Sequence, residues 1–252
     1  MDPAFRRSRP ASGRMLRRMD NEQLWHEVDL YIHDRLIGAD PALEAALEES
    51  DRAGLPQIAV SAAQGKMLHL LAKAIGAARI LEIGTLGGYS TIWLARALPE
   101  HGKLISLEVD PHHGEVASAN VARAGLSDRV EIRVGRAIDS LPTLRDELAR
   151  SADGRAFNQA FDMVFIDADK PSTSAYFEHA VEMTRLGGLI VVDNSVRRGR
   201  IADPSDSDSN VLGMRNFHDL LAGRSDSDVQ ATTVQTVGSK GYDGFTLIYV
   251  GS

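Results

Sequence analysis

The run Ile80-Leu-Glu-Ile-Gly-Thr-Leu-Gly-Gly-Tyr-Ser90 decides how this chain is read. It opens as a short apolar strand and closes as the start of a helix, with Gly84 and Gly88 in the turn between. Glycine lets the backbone bend sharply and lets a ligand come close. A helix beginning near Tyr89 points its free N–H groups at that ligand. In an open α/β sheet ligands bind beyond the carboxyl ends of the strands, so this turn suits a nucleotide-like cofactor.

Outward from the turn the same alternation repeats. Apolar runs at 79–83, 104–109, 130–134, 163–167 and 189–193 read as strands, and 89–98, 112–124, 138–150 and 174–185 read as helices between them. Near-continuous apolar strands alternating with helices mean a parallel sheet covered on both faces. Two further runs, 229–237 and 245–250, flank a Gly-rich turn at 238–244 and read as an antiparallel hairpin closing the sheet. Segments 201–210 and 223–228, polar and rich in Asp and Ser, are expected to be mobile. Before the first strand three helices are expected. One starts after Asp20, with Leu24, Val28, Tyr31, Ile32 and Leu36 at helical spacing; the others span 41–52 and about 61–75. The expectation is one domain over 19–252 with an N-terminal helical cap.

The first 18 residues stand apart, with six arginines against one acid, Asp2. Such a stretch reads as a basic arm for an anionic partner, a transit-like peptide, or a disordered tail or expression remnant. The whole chain has 252 residues, 28 Lys and Arg against 35 Asp and Glu, and a net charge of −7. That balance argues against a nucleic-acid partner, which needs a clustered positive field. No apolar run reaches the roughly 18–20 residues that span a bilayer, so no membrane partner is expected. Cysteine is absent, which excludes disulfides, iron–sulfur clusters and thiolate zinc sites. A soluble, cytoplasmic protein whose function lies in a small-molecule or protein site is the expectation.

The glycine turn is selective in its chemistry. A dinucleotide fingerprint has three spaced glycines, whereas this turn reads G-x-x-G-G and carries Glu82 two residues before Gly84. A carboxylate there is awkward for a pyrophosphate and favourable for a cationic ligand. The second strand ends in Glu108, placed to take both hydroxyls of a ribose. An adenosine bearing positive charge fits both acids, and S-adenosylmethionine carries a sulfonium and an ammonium. Both acids also read individually as ordinary strand-end carboxylates.

The fourth strand ends at Asp167, followed by Ala168-Asp169-Lys170; the fifth ends at Asp193-Asn194. Neighbouring parallel strands bring Asp167, Asp193 and Asn194 to one rim. Three oxygen ligands suit a hard cation such as Mg²⁺, or Mn²⁺ or Ca²⁺. The alternative is that Asp167 caps the next helix and Asp193-Asn194 makes a turn. Lys170 overhangs the same rim as a candidate general base, or pairs with Asp169 at the surface. His112 and His113 read as a surface helix start, and Tyr176 and Phe177 as core.

With these residues in hand, the chain resembles the cation-dependent small-molecule O-methyltransferases, the family of catechol and caffeoyl-CoA O-methyltransferases, in its bacterial branch. The resemblance runs from about Leu55 to Val250. It is carried by Val60-Ser-Ala-Ala-Gln-Gly65, the Leu81–Ser90 turn, Asp167-Ala-Asp-Lys170, and Gly187-Gly188 followed by Asp193-Asn194. It implies a Rossmann-like class I methyltransferase fold, a seven-stranded, mostly parallel sheet. It implies that Val60, Glu82, Gly84, Thr85, Ser90, Glu108, Ala137 and Asp169 line the S-adenosylmethionine site. Asp167, Asp193 and Asn194 would hold the cation, Asp167 and Lys170 would serve catalysis, and the acceptor would be a small phenol. A homodimer is also implied. Two other readings stand beside it: a nicotinamide-dependent oxidoreductase on a similar sheet, and a non-catalytic S-adenosylmethionine-binding protein.

The chain departs from the family pattern in three places. After the third strand it has Gly135-Arg136-Ala137 where many relatives carry an acid. It has Thr173 where many have a tyrosine. It has Ser195-Val196-Arg197-Arg198 where the plant enzymes have a tryptophan. The last two fall where the acceptor would lie. Arg197, Arg198 and Arg200 are candidates for contacting an acidic substituent on it.

Overall fold

The computed structural model describes residues 20–150, 160–224 and 228–251. The expectations for the arm at 1–18 lie outside the described residues, as does part of the expected mobile segment 223–228.

Helix α1 (Asn21–Ile32) is capped by Asp20, whose carboxylate accepts the Gln23 N–H at 2.8 Å, and runs into a π turn, His33–Ile37, that stops at Gly38. Its periodic apolar face is only partly covered by the described residues: Leu24 and Ile32 are half-buried, but Tyr31 is 64% exposed, and Leu36 of the π turn 71%. Helix α2 (Pro41–Arg52) starts on an Asp40 cap with proline in the first turn, an arrangement that satisfies the helix's open N–H groups and fixes φ. Helix α3 (Ala62–Ala74) is capped by Ser61.

The alternating unit follows as β1 (Arg79–Ile83), α4 (Tyr89–Ala95), β2 (Lys103–Glu108), α5 (Pro111–Arg123), β3 (Val130–Val134) and α6 (Ala137–Arg150). Then come β4 (Phe161–Ile166), a 3₁₀ turn (Lys170–Ser172), α7 (Thr173–Met183) and β5 (Thr184–Val192). A second 3₁₀ segment (Arg197–Ala202), α8 (Ser209–Ala222) and the hairpin β6 (Val229–Gly238) and β7 (Gly241–Val250) complete the chain. The sheet has seven strands in the order β3-β2-β1-β4-β5-β7-β6. Strands β1 to β5 pair in parallel, and β7 inserts antiparallel to both β5 and β6. One apolar layer, including Leu68, Ile80, Ile92, Trp93 and Phe165, fills the face under α3, α4 and α5. The other, including Leu81, Ile83, Phe177, Met214 and Phe217, fills the face under α6, α7 and α8. The seven-stranded fold expected from the sequence is the one observed.

Three local expectations are corrected. Segment 201–210 is a tied loop: Arg200 holds Asp206 at 2.7 Å, and Asp208 accepts the N–H groups of Asn210 and Val211 to start α8, a helix the sequence reading did not include. The hairpin turn is shorter than 238–244, because the ladder continues to Gly238↔Gly241 and only Ser239 and Lys240 connect the strands. Strand β5 begins at Thr184, ahead of the expected Leu189, through a register shift opposite Phe161 and Met163.

Candidate functional site

The parallel register builds the site. Ile83 lies opposite Ile166, and Ile166 opposite Val192. The next residue of each strand, Gly84, Asp167 and Asp193, therefore stands on one rim. Each adds one more ladder bond: Gly84 N–H to Leu107 O (2.9 Å), Asp167 N–H to Ile83 O (2.8 Å) and Asp193 N–H to Ile166 O (3.0 Å). Adjacent strands lie about 4.8 Å apart, so the two carboxylates begin as near neighbours.

Gly84 has φ +101°, and a Cβ there would meet the Asp167 carbonyl oxygen at 2.1 Å. The turn thus needs glycine twice over, for its backbone conformation and for its approach to the β4 tip. Gly88, at φ +82°, opens α4. Glu108 Oε2 accepts the N–H groups of Thr85 (3.1 Å) and Leu86 (2.8 Å), and Oε1 that of Asp110 (3.0 Å). This carboxylate stitches the glycine turn to the end of β2.

A cavity of about 750 Å³ opens over the rim. Val60, Gly84, Thr85, Ser90, Glu108, Ala137 and Asp169 all line it, together with Asp167, Lys170 and Asn194. Asp193 lines a second cavity of about 660 Å³, between α3 and the hairpin, and Asn194 lines both. The two cavities meet at this cluster.

Glu82 lines neither cavity. It points under α4, fully buried, and accepts hydrogen bonds from the hydroxyls of Ser90 (2.6 Å), Thr91 (2.5 Å) and Ser106 (2.7 Å). Burial pushes its carboxyl up to about 7, against the lowering effect of those hydroxyls. Strand alternation explains the placement, since Glu82 shares a face with Ile80 and is registered with Ser106. Ser90 spends its hydrogen on Glu82 and keeps its oxygen lone pairs for the cavity, where they can accept from an ammonium.

Lys170 is 6% exposed, with Nζ 2.8 Å from Asp167 Oδ1. Asp169 is paired elsewhere, accepting the Tyr176 hydroxyl at 2.5 Å. Burial alone would raise the Asp169 carboxyl, but hydrogen bonds from Ser172 and Tyr176 outweigh it and hold the group below its usual range. Burial and Asp169 push the Tyr176 hydroxyl up to about 12. Asp193 is 5% exposed, and its carboxyl is raised by burial and by the negative charge of Asp167. That repulsion is what a cation would relieve. Asn194 holds a left-handed backbone (φ +53°), and its N–H is 2.8 Å from Asp193 Oδ1. Among the described residues no group of three His, Asp or Glu side chains converges on a metal position. The set here is two carboxylates and one amide, an all-oxygen donor set that fits a hard cation.

Three site residues escaped the sequence reading. Tyr176, read as core, lines the first cavity and anchors Asp169. His113, read as a surface helix start, also lines it, with Nδ1 3.6 Å from Glu108 Oε1. Gln64 hydrogen-bonds Asp193 from the first turn of α3. A polar residue in the opening turn of a helix that follows a strand was the available signal for His113 and Tyr176; Gln64 precedes the first strand and had none.

The O-methyltransferase family model matches residues 37–249. The catechol O-methyltransferase of Mycobacterium tuberculosis is 50% identical over 232 residues, covering 92% of this chain and 99% of that one. Among solved structures, the O-methyltransferase TomG of Streptomyces achromogenes, in complex with S-adenosylmethionine, superposes with a TM-score of 0.85 at 50% identity. It covers 93% of this chain and all of that one. The O-methyltransferase of Bacillus cereus, in complex with S-adenosylhomocysteine, superposes with a TM-score of 0.84 at 46% identity, covering 91% and 99%. These relations set aside both the nicotinamide and the non-catalytic readings. The chain belongs to the S-adenosylmethionine-dependent O-methyltransferases of the catechol and caffeoyl-CoA type.

Proposed function

We propose that this enzyme moves the methyl group of S-adenosylmethionine to a hydroxyl of a small phenolic acceptor, and that the reaction depends on a divalent cation. The supporting observation is the meeting of two cavities at Asp167, Asp193 and Asn194. The donor takes the first cavity: Glu108 receives the ribose hydroxyls, and Ser90, polarised by Glu82, receives the ammonium. The acceptor takes the second, with its hydroxyl towards the rim.

Asp167, Asp193 and Asn194 would hold the cation, Mg²⁺ or a similar ion, and its chemistry is to stabilise the acceptor oxygen as an anion. Lys170 Nζ, as the neutral amine, receives the hydroxyl proton. The oxygen lone pair then forms a bond to the methyl carbon as the carbon–sulfur bond breaks, and S-adenosylhomocysteine leaves. Opposite charges are neutralised in this step, so walls that exclude water favour it. Holding donor and acceptor in line supplies much of the acceleration. We also take the working form to be a cytoplasmic homodimer; the partly uncovered apolar face of α1 supports the dimer.

The test is methyl transfer over a panel of phenols with Mg²⁺, Mn²⁺, Ca²⁺ or a chelator. Turnover should vanish in chelator and return with metal. Full activity in chelator would contradict the cation. Lys170→Met should lower kcat by about 10²-fold or more while leaving donor affinity nearly unchanged. Unchanged kcat would remove the base.

A further inference from the structure

The second cavity has four basic side chains on its wall, Arg197, Arg198, Arg200 and Lys240, against three acids, Asp29, Asp193 and Asp243. Arg200 is committed to Asp206 and Asp208, at 2.7 and 3.5 Å. Asp243 is committed to backbone: its Oδ1 accepts the N–H groups of Val196 (3.1 Å), Arg197 (2.8 Å) and Gly244 (2.9 Å). Asp29 accepts the Ser239 N–H at 2.7 Å. Arg197 differs. Its guanidinium Nε is buried without a hydrogen-bond partner, and among the described residues no carboxylate lies within ion-pair distance of it. Lys240, on the hairpin turn, adds a second positive charge to the cavity, its Nζ only loosely held by Gln57 O at 3.4 Å.

The backbone under Arg197 is strained. Arg197 and Arg198 have φ +52° and +56°, and Gly199 follows at +82°. Left-handed conformations of non-glycine residues cost free energy and persist where the surroundings hold them. Here Asp243 accepts the successive N–H groups of Val196 and Arg197 and so fixes the backbone where the strained pair begins. Arg197 lines both cavities, and no carboxylate among the described residues neutralises it. A carboxylate matches the guanidinium fork in shape and charge.

We propose that Arg197 reads an anionic group on the acceptor, so that the preferred substrates are dihydroxylated aromatic carboxylic acids. Their carboxylate pairs with Arg197 and their neighbouring hydroxyls lie at Asp193 and Asn194. The inference rests on the acceptor role given to this cavity in the proposed function.

The test compares caffeate with its methyl ester, which keeps the ring and both hydroxyls and removes the charge. With Mg²⁺ present, the wild type should favour caffeate in kcat/KM by about 10-fold or more. Arg197→Ala should lose about 10- to 100-fold on caffeate, chiefly through KM, and no more than about 3-fold on the ester. Arg197→Lys, which keeps the charge, should recover part of the preference and guards against a loss caused by misfolding. Equal losses on both acceptors would overturn the proposal. So would weakened S-adenosylmethionine binding with the acceptor preference intact, which would assign the guanidinium to the donor's own carboxylate. Calorimetry with S-adenosylhomocysteine and Mg²⁺ separates this inference from the proposed function. A wild type that methylates neither phenol but binds caffeate more tightly than the ester, and loses that difference in Arg197→Ala, would sink the reaction and keep the anion site. No difference in binding would sink the anion site.

Discussion

Glu82 shows how one residue's environment decides its task. A carboxylate two positions before the glycine turn invites a cationic ligand, yet the side chain faces the core and organises three hydroxyls. Its carboxyl titrates near 7 in the folded protein, against about 4.5 when exposed. As pH rises from about 4.5 to about 7 the unfolded chain releases this proton and the folded chain keeps it, so the group's contribution to stability falls across that window and is level above it. Glu82→Gln removes the titration. Its melting temperature relative to wild type should therefore rise between pH 5 and 7.5, with a full effect on the order of 3 kcal/mol. A difference independent of pH would contradict this placement. The residues at the strand tips were legible because the chemistry sits in the local text: an acid or amide ending an apolar run. Glu82 was not, because its partner Ser106 lies on another strand and becomes a neighbour only through the β1–β2 register.

Among elements, β1 was legible to the residue, since an apolar run ending at a glycine has one sensible boundary. Helix α8 was not. The Asp- and Ser-rich stretch before it reads as loop, and its cap, Asp208, is one of several acids there. Yet α8 packs against the turn that carries Lys170, the proposed base. Gly213 packs on the 3₁₀ turn that carries Lys170, and a Cβ at 213 would meet the Lys170 carbonyl oxygen at 2.3 Å and Pro171 Cα at 2.8 Å. These are backbone atoms, so the turn must shift. Gly213→Ala should destabilise the fold by about 1–3 kcal/mol. It should also lower kcat by about 10-fold or more with donor affinity nearly kept, because a small misplacement of a reacting group is costly. Wild-type kcat in a stably folded Gly213→Ala would show that α8 does not set the position of Lys170. The hairpin turn was misjudged for a related reason: glycines 241 and 244 belong to the ladder, and Gly244 admits the close approach of Val234 and Val196.

At the scale of the molecule, the sequence carries the strands and the closing hairpin but not the strand order β3-β2-β1-β4-β5-β7-β6, since periodicity fixes strands and not their neighbours. The surface adds something the strand pattern does not hold. Helix α1 presents Val28, Leu30 and Tyr31 to solvent, as the π turn after it does Leu36, and apolar residues gathered on one exposed segment mark a contact surface. Light scattering after size exclusion should give about twice the 27.3 kDa of one chain, and Leu36→Asp should shift the mass towards the monomer. A wild-type monomer at micromolar concentration would contradict the dimer.

The proposed cation would sit where the two cavities meet. Anomalous diffraction from crystals grown with Mn²⁺ locates such an ion directly. The prediction is one strong peak about 2.2 Å from side-chain oxygens of Asp167, Asp193 and Asn194. A map with no peak there, or with manganese bound only elsewhere, would contradict it.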